Sequence, residues 1–197
     1  MPREICPTCQ RPLNVCYCSA LVHIANRIEV LIIQHPLEQK HPFNTGRMAH
    51  LCLENSALVV AESLTDAELQ ALLRPGSALL YPSLSWLPEV EQIEPGTERA
   101  KALEQLVVID ASWRKSKKML HLHPAFQKLP RVSFEGELHS GYQIRHSSLE
   151  NSLSTIESIA MALGKLEAGR NFDGLLQPFQ EMIALQTRNV SEGSAGG

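Results

Sequence analysis

Residues 106–118 read LVVIDASWRKSKK and place an apolar run, a carboxylate, a serine, a tryptophan and four cations in one short stretch. The run 106–109 is apolar at every position, which is typical of a strand buried on both faces of a parallel sheet. Asp110 follows at the carboxyl end of this strand, and ligands of open α/β sheets bind beyond the carboxyl ends of strands. We therefore expect Asp110, Ser112 and Trp113 to lie where a substrate binds.

The cations that follow predict a surface for a polyanion. Ser112 can cap a helix whose first turns carry Arg114, Lys115, Lys117 and Lys118, and positions 114, 117 and 118 share one helical face. Residues 111–146 hold seven cations and two acids, although the whole chain has a formal net charge of -3. A local basic surface on an acidic protein favours nucleic-acid binding, and a solvated helix face is the alternative.

Strands alternate with helices along the rest of the chain, which predicts one α/β domain with a largely parallel sheet. The other predicted strands cover residues 27–34, 57–61, 77–81, 131–134 and 142–145. The predicted helices cover residues 47–55, 65–74, 98–105, 155–167 and 172–189. Residues 83–104 read as an acidic insertion, and residues 35–46 read as a polar loop.

Polar side chains follow three of the predicted strands. They are His35 after the first, Tyr81 and Pro82 after the third, and Asp110 after the fourth. Because the carboxyl ends of parallel strands meet at one edge of a sheet, these residues are candidates for contacts with a ligand.

Two predicted helix starts add further candidates. Ser154, Thr155 and Glu157 form the S-T-x-E pattern of a capping box, and Asn44, Thr45 and Gly46 form a second transition from loop to helix. Amide groups at a helix start can hold a carboxylate or phosphate, and a well-capped helix is the alternative. The chain contains no G-x-G-x-x-G and no P-loop, so the commonest nucleotide-binding motifs are absent from the sequence.

A four-cysteine motif near the start of the chain predicts a metal site. Cys6, Cys9, Cys16 and Cys18 form the array C-x2-C-x6-C-x-C. Two close pairs of thiolates suit tetrahedral zinc, and four thiolates leave no open position, so the zinc would be structural. An iron–sulfur cluster, a redox pair or free thiols are the alternatives. Cys52 lies apart from the array and is predicted to be a small core residue.

The first twenty residues lack the apolar core of a secretory signal, and no apolar run is long enough to span a bilayer. We therefore expect a soluble, cytoplasmic protein without membrane contact. The small polar residues 191–197 predict a disordered tail.

Five motifs in this order resemble the DTW-domain family from Cys6 to about residue 168. They are the cysteine array, HPLEQKHPFNTGR at 35–47, LLYP at 79–82, IDASW at 109–113 and LSTIES at 153–158. The family's name refers to Asp-Thr-Trp, and Asp110, Ser112 and Trp113 fit the wider D-x-[ST]-W pattern. The resemblance implies transfer of the 3-amino-3-carboxypropyl group of S-adenosylmethionine to N3 of a uridine in tRNA. In bacterial members this uridine lies in the variable loop, and 5′-methylthioadenosine is released.

The family is similar to SPOUT proteins, so the resemblance also implies a mostly parallel sheet flanked by helices and containing a trefoil knot. We expect a four-cysteine zinc knuckle at residues 1–22, a SPOUT-like catalytic domain at 23–190 and a tail at 191–197.

The resemblance suggests roles for the candidate residues. Asp110, Ser112 and Trp113 would be catalytic, with Asp110 either accepting the N3 proton or anchoring a loop, and Trp113 either stacking on a base or packing in the core. Donor contacts would come from Tyr81, Pro82, Asp110, Ser154, Thr155, Glu157, Asn44 and Thr45, and His35 is a weaker candidate. RNA contacts would come from Arg114, Lys115, Lys117, Lys118 and Arg145, and Arg145 could instead hold the donor carboxylate.

Three other functions compete with this interpretation. A methyltransferase could use the same donor, and a noncatalytic zinc-containing module could bind RNA through the basic helix. A related aminocarboxypropyl transfer could act on ribosomal RNA.

Overall fold

The computed structural model describes residues 4–133 and 153–194 and contains a five-stranded sheet in which every neighbouring pair is parallel. The strands are β1 (Glu29–Gln34), β2 (Ser56–Val60), β3 (Ser77–Leu80), β4 (Gln105–Asp110) and β5 (Arg131–Val132). Their order is β2-β1-β4-β3-β5, so β4 lies at the centre of the sheet. This arrangement confirms the predicted α/β class and the parallel sheet.

Helices cover both faces of this sheet. They are α1 (Pro36–Gln39), α2 (Thr45–Cys52), α3 (Asp66–Leu72), α4 (Glu98–Lys101), α5 (Trp113–Leu122), α6 (Pro124–Gln127), α7 (Thr155–Leu166) and α8 (Gln177–Ser194). Short 3-10 helices cover Leu13–Val15, Cys18–Ala20 and Asp173–Leu176.

Strand β4 is buried at all six positions because its side chains alternate between two hydrophobic cores. Leu106 and Val108 join the core formed with α2, α7, α8 and the cysteine segment. Val107 and Ile109 join the core formed with α3, α5 and α6. A strand with helices on both faces needs apolar residues at every position, which explains the run that the sequence displays.

Several predicted boundaries were wrong by a few residues. The helix predicted at 98–105 ends at Lys101, because Gln105 begins β4 and its buried amide nitrogen donates to the Leu72 carbonyl and the Glu29 carboxylate. The residues predicted as a loop at 35–46 contain the one-turn helix α1. The last helix runs to Ser194, five residues beyond the predicted end.

The capping box predicted for α3 is confirmed, since Thr65 and Glu68 bond each other's backbone N–H. Cys52 is fully buried in the core, as predicted. The predicted strand at 142–145, with Arg145, lies outside the described residues. No helix in the described ranges is long and apolar enough to cross a membrane.

Candidate active site

A buried network of four polar side chains surrounds the carboxyl end of β4. Asp110 Oδ2 accepts a hydrogen bond of 2.7 Å from Gln34 Nε2, and Gln34 Nε2 also donates to Asn44 Oδ1 at 2.6 Å. Asp110 Oδ1 lies 2.5 Å from the Thr155 hydroxyl. The network therefore joins β1, β4, the cap residue of α2 and the first residue of α7. It brings together three predicted residues, Asn44, Asp110 and Thr155.

The donors and acceptors in this network are fixed by their neighbours. Asn44 Nδ2 donates to the Gln39 carbonyl, and Asn44 Oδ1 accepts from the Arg47 backbone N–H at 3.0 Å and so caps α2. Gln34 must therefore present its amide nitrogen to both Asn44 and Asp110. Asp110 Oδ2 is consequently an acceptor, and a proton on this carboxyl group would have to reside on Oδ1, beside Thr155.

Burial raises the pKa of Asp110, while the hydrogen bonds from Gln34 and Thr155 act in the opposite direction. Asp110 is 7% exposed, so desolvation is the largest of these influences. A carboxyl group that is desolvated but still bonded by donors is suited to exchanging a proton with a ligand.

Gly46 allows α2 to approach Asp110 closely. A Cβ atom at this position would lie 2.7 Å from the Asp110 Cγ, which is closer than real Cβ contacts allow. The glycine in the N-T-G sequence is therefore required by packing between the helix start and the carboxylate. Thr45, also predicted as a donor contact, is buried beside it as the first residue of α2.

A second group of side chains lies at the carboxyl end of β3. The Tyr81 hydroxyl is 2.9 Å from Ser116 Oγ, and the Tyr81 ring meets the Trp113 ring edge-on at a centroid distance of 5.7 Å. Trp113 is 54% exposed, so the alternative that it is a core residue is wrong. Tyr81 is buried, which raises the pKa of its phenol, and Pro82 follows it half-buried.

Helix α5 begins without a side-chain cap. Ser112 occupies the cap position as predicted, but its side chain accepts no hydrogen bond from the helix, so the proposed capping role was wrong. The hydroxyl instead lies exposed at the end of the turn that follows Asp110.

The four cations of α5 divide into two pairs. Lys115 forms an ion pair with Glu38 at 3.3 Å, and Lys118 forms one with Glu62 at 2.6 Å. Arg114 and Lys117 are exposed and form no ion pair within the described part of the chain. Among the described members of the predicted RNA-binding set, these two cations are therefore the most available to a phosphate.

The start of α7 has the predicted capping box. The buried Glu157 carboxylate accepts from the Ser154 backbone N–H at 2.8 Å and from the Ser154 hydroxyl at 2.6 Å. These two side chains hold the helix start in place, and Thr155 reaches Asp110 from it. The donor contacts suggested for Ser154 and Glu157 stay predictions.

The His35 side chain is buried and forms contacts within the protein. Its ring is buried, its Nδ1 accepts from the Leu37 backbone N–H at 3.1 Å, and its Nε2 lies 3.7 Å from a Glu62 oxygen. The side chain therefore caps α1 and contacts the loop that follows β2.

The four cysteines predicted to bind metal converge at the N-terminal end of the chain. The Sγ atoms of Cys6 and Cys18 are 3.6 Å apart, those of Cys9 and Cys16 are also 3.6 Å apart, and all four lie within 4.8 Å of one another. Sulfur atoms around a tetrahedral zinc ion, each about 2.3 Å from the metal, are separated by about 3.8 Å. The cluster could thus hold a metal ion, and its four thiolates fit zinc.

The backbone around Cys6 favours a thiolate at this residue. The N–H groups of Cys9 and Thr8 lower the pKa of Cys6 to about 6, whereas desolvation raises the pKa of Cys9 and of Cys18. A metal ion binds the deprotonated form of each of these thiols.

The cysteine cluster is tied to the start of α2. Arg47 Nη2 and Nε donate to the Thr8 carbonyl at 2.7 and 3.2 Å, and Cys6 and Cys9 pack into the core that also holds Met48 of α2. One helix therefore connects the cysteine segment with the Asp110 network.

Gln34 is the member of the network that the sequence analysis missed. It is 1% exposed and bonds two of the predicted residues. Its position directly after the apolar run VLII at 30–33 of β1 is a sequence signal, because Asp110 follows the apolar run of β4 in the same way. The structure pairs the two residues in register.

Comparisons of the sequence with known proteins identify the family of this chain. The DTW domain family matches residues 3–187. A protein of Drosophila melanogaster named tRNA-uridine aminocarboxypropyltransferase 2 is 32% identical over 95% of this chain and 76% of its own length. A Macaca fascicularis protein of the same name is 28% identical over 96% of the chain and 66% of its own length.

A third relative, tRNA-uridine aminocarboxypropyltransferase A of Arabidopsis thaliana, is 25% identical over 94% of the chain and 82% of its own length. These relatives come from animals and a plant, so they do not confirm the expected likeness to bacterial members. No solved structure matches the chain. The match of the family model over nearly the whole chain establishes that this chain, with its Asp-Ala-Ser-Trp motif, belongs to the DTW-domain family.

Proposed function

We propose that this protein transfers the 3-amino-3-carboxypropyl group of S-adenosylmethionine to N3 of a variable-loop uridine in tRNA and releases 5′-methylthioadenosine. The relatives described above carry the name of this activity. The observation that carries the proposal for this chain is the buried Asp110 network at the carboxyl edge of β4, where ligands of parallel sheets bind.

In the proposed reaction the uracil N3 attacks the methylene carbon of the methionine side chain that is bonded to the sulfonium sulfur. The bond between this carbon and sulfur breaks, and its electron pair goes to the sulfur of the departing 5′-methylthioadenosine. The sulfonium supplies a good leaving group, so the protein has to orient the correct carbon and remove the N3 proton. Asp110 is the proposed acceptor of this proton. Its Oδ1 side is suited to the task, because Thr155 is only half-buried while Oδ2 faces the buried Gln34.

The remaining predicted residues are assigned by their position. Tyr81, Pro82, Asn44, Thr45, Ser154, Thr155 and Glu157 would position the donor, and Ser112 and Trp113 would act beside Asp110. The exposed Arg114 and Lys117 would contact the tRNA backbone, together with Lys115, Lys118 and Arg145. The ion pairs of Lys115 and Lys118 with acids predict that these two lysines contribute less to binding than Arg114 and Lys117.

The proposed protein has a structural zinc ion, two folded parts and a knotted chain. Zinc would be held by the four cysteines as a structural ion, in a knuckle at residues 1–22 attached to a catalytic domain at 23–190, with a tail at 191–197. The SPOUT-like trefoil knot belongs to this proposal, and the all-parallel sheet supports the likeness. A cytoplasmic location fits a protein that acts on tRNA.

The test is mass spectrometry of nucleosides from unmodified tRNA incubated with the protein and S-adenosylmethionine, with 5′-methylthioadenosine measured in the same reaction. Aminocarboxypropyluridine together with methylthioadenosine is the expected result. A methylated nucleoside with S-adenosylhomocysteine would identify a methyltransferase instead. If neither donor product forms, the alternatives are another RNA substrate, such as ribosomal RNA, and the noncatalytic module, and the same assay with ribosomal RNA separates these two.

A further inference from the structure

Exposed apolar side chains are concentrated at the edge of the sheet that contains Asp110. Seven large apolar residues are exposed in the described part of the chain: Ile5, Leu13, Leu37, Phe43, Val60, Trp113 and Leu122. Four of them lie at or just after the carboxyl ends of neighbouring strands. Leu37 and Phe43 follow β1, Val60 ends β2, and Trp113 follows β4.

The segment with Leu37 and Phe43 is held beside the active site by contacts at three points. Asn44, next to Phe43, bonds Gln34 and so belongs to the Asp110 network. Glu38, next to Leu37, pairs with Lys115 of α5 at 3.3 Å. His35 caps α1 from its buried position. The two apolar side chains are thus exposed on a segment that is itself anchored at both ends.

The charge around these side chains suits a polyanion. Two acids that follow β1 and β2 are already paired, Glu38 with Lys115 and Glu62 with Lys118. Lys40, Arg114 and Lys117 are exposed there and form no ion pair within the described residues. Apolar surface surrounded by available cations is the arrangement that binds unpaired nucleic acid, in which bases stack on side chains and phosphates meet cations.

We infer that Phe43, together with Leu37 on the same segment, forms a platform on which an unpaired RNA base stacks when the substrate binds. This inference rests on the proposed function for its substrate. The N3 atom of uracil lies on the base-pairing edge, so the reacting base has to be unpaired and drawn out of its stack before N3 can react. The platform holds either this base or its neighbour at the mouth of the site.

The test is the affinity for an unmodified tRNA transcript, measured without donor by fluorescence anisotropy in Phe43→Ala and Phe43→Tyr. Loss of one stacked base weakens binding by about five-fold or more, so we expect this loss in Phe43→Ala and nearly wild-type affinity in Phe43→Tyr. Leu122→Ala is the matched control. Leu122 is 48% exposed at the far end of α5, roughly 15 Å along the helix from Trp113, and its loss should leave affinity unchanged.

Unchanged tRNA affinity in a folded Phe43→Ala variant would overturn the inference. It would also be overturned if wild-type protein self-associates through this edge, so that Phe43→Ala alters its oligomeric state but not its tRNA affinity. If Phe43→Ala does not fold, Leu37→Ser provides the same test from the exposed helix α1. Because the assay contains no donor, weaker binding in Phe43→Ala would support the platform even if the wild-type protein formed no aminocarboxypropyluridine.

Discussion

The cysteine cluster and the Asp110 network are both groups of four polar side chains, but they are built in opposite ways. The cysteines lie within thirteen consecutive residues, and their sulfur atoms have only weak contacts with one another. The network members come from positions 34, 44, 110 and 155, and they satisfy one another with hydrogen bonds of 2.5 to 2.7 Å. The first group could therefore hold an added ion, whereas the members of the second are hydrogen-bonded to one another within the protein fold.

This difference predicts what the loss of one member does to each group. Loss of one cysteine should release the ion and loosen the segment around it. Loss of one network member should leave a buried polar group without its partner, which costs stability and changes the chemistry of Asp110.

The largest effect is expected from Asp110→Asn. The side chain keeps its shape but loses its charge and its ability to accept a proton, so the transfer rate should fall by roughly 10²–10⁴-fold. The measurement is the rate of aminocarboxypropyluridine formation at saturating tRNA, with tRNA affinity and thermal unfolding measured in parallel. Asp66→Asn, at an exposed carboxylate, is the control. Full activity in Asp110→Asn would contradict the proposed role.

The next largest effect should follow Cys9→Ser. We expect metal content to fall from about one ion per chain to nearly none, because a tetrahedral site loses one of its four thiolates. The melting temperature should fall further than in Cys52→Ser, which alters a buried cysteine outside the cluster. Metal content is measured by mass spectrometry of the purified proteins. Equal zinc in wild type and Cys9→Ser would rule out the cluster as its site.

Gln34→Leu tests the network without touching the carboxylate. Asp110 Oδ2 and Asn44 Oδ1 would each lose a donor, so the free energy of unfolding should fall by about 1–3 kcal/mol. The Gln34 bond lowers the Asp110 pKa, so its loss should raise this pKa further. Because a base acts in its ionised form, the acid limb of the pH–rate profile should move to higher pH.

The control for this variant is Gln70→Leu, on the exposed surface of α3. A Gln34→Leu variant whose acid limb coincides with that of wild type would indicate that the glutamine serves packing alone.

The smallest effects should come from a pair of glycine substitutions. Gly46→Ala places a methyl group against the Asp110 carboxylate and should cost about 1–3 kcal/mol of stability. Gly164→Ala, in the interior of α7 where no atom lies within 4 Å of the new methyl group, should stabilise the protein by about 0.5–1 kcal/mol. Chemical denaturation of both variants measures the difference. Equal stability of the two would contradict the close approach of α2 to Asp110.

The same comparison explains what could be predicted from the sequence. The cysteine spacing is local, so it indicated a metal site directly, and the apolar run of β4 indicated a buried strand. Gln34 and Asp110 are 76 residues apart, and only the register of β1 against β4 makes them neighbours. A polar residue after an apolar run is a signal that many strands share, and only the register of β1 against β4 places Gln34 beside Asp110.

Local patterns were also misleading where tertiary contacts decided the result. Ser112 has the sequence context of a helix cap, but its side chain accepts no hydrogen bond from the backbone of α5. The helix predicted at 98–105 does not include Gln105, which begins β4 instead. Gln105 pairs in parallel with Glu29 and Ser77, and its buried amide forms hydrogen bonds that favour the strand.

The central position of β4 has a consequence for the order of folding. Both of its neighbours, β1 and β3, precede it in the chain, so they are separated until β4 inserts between them. Such distant contacts form slowly, and during synthesis the N-terminal parts of a chain can fold first. The network is completed only by Thr155, 45 residues after Asp110. A chain that has emerged from the ribosome only to residue 150 can therefore assemble its sheet, while the Asp110 carboxylate at the end of the central strand still lacks its hydrogen bond from Thr155.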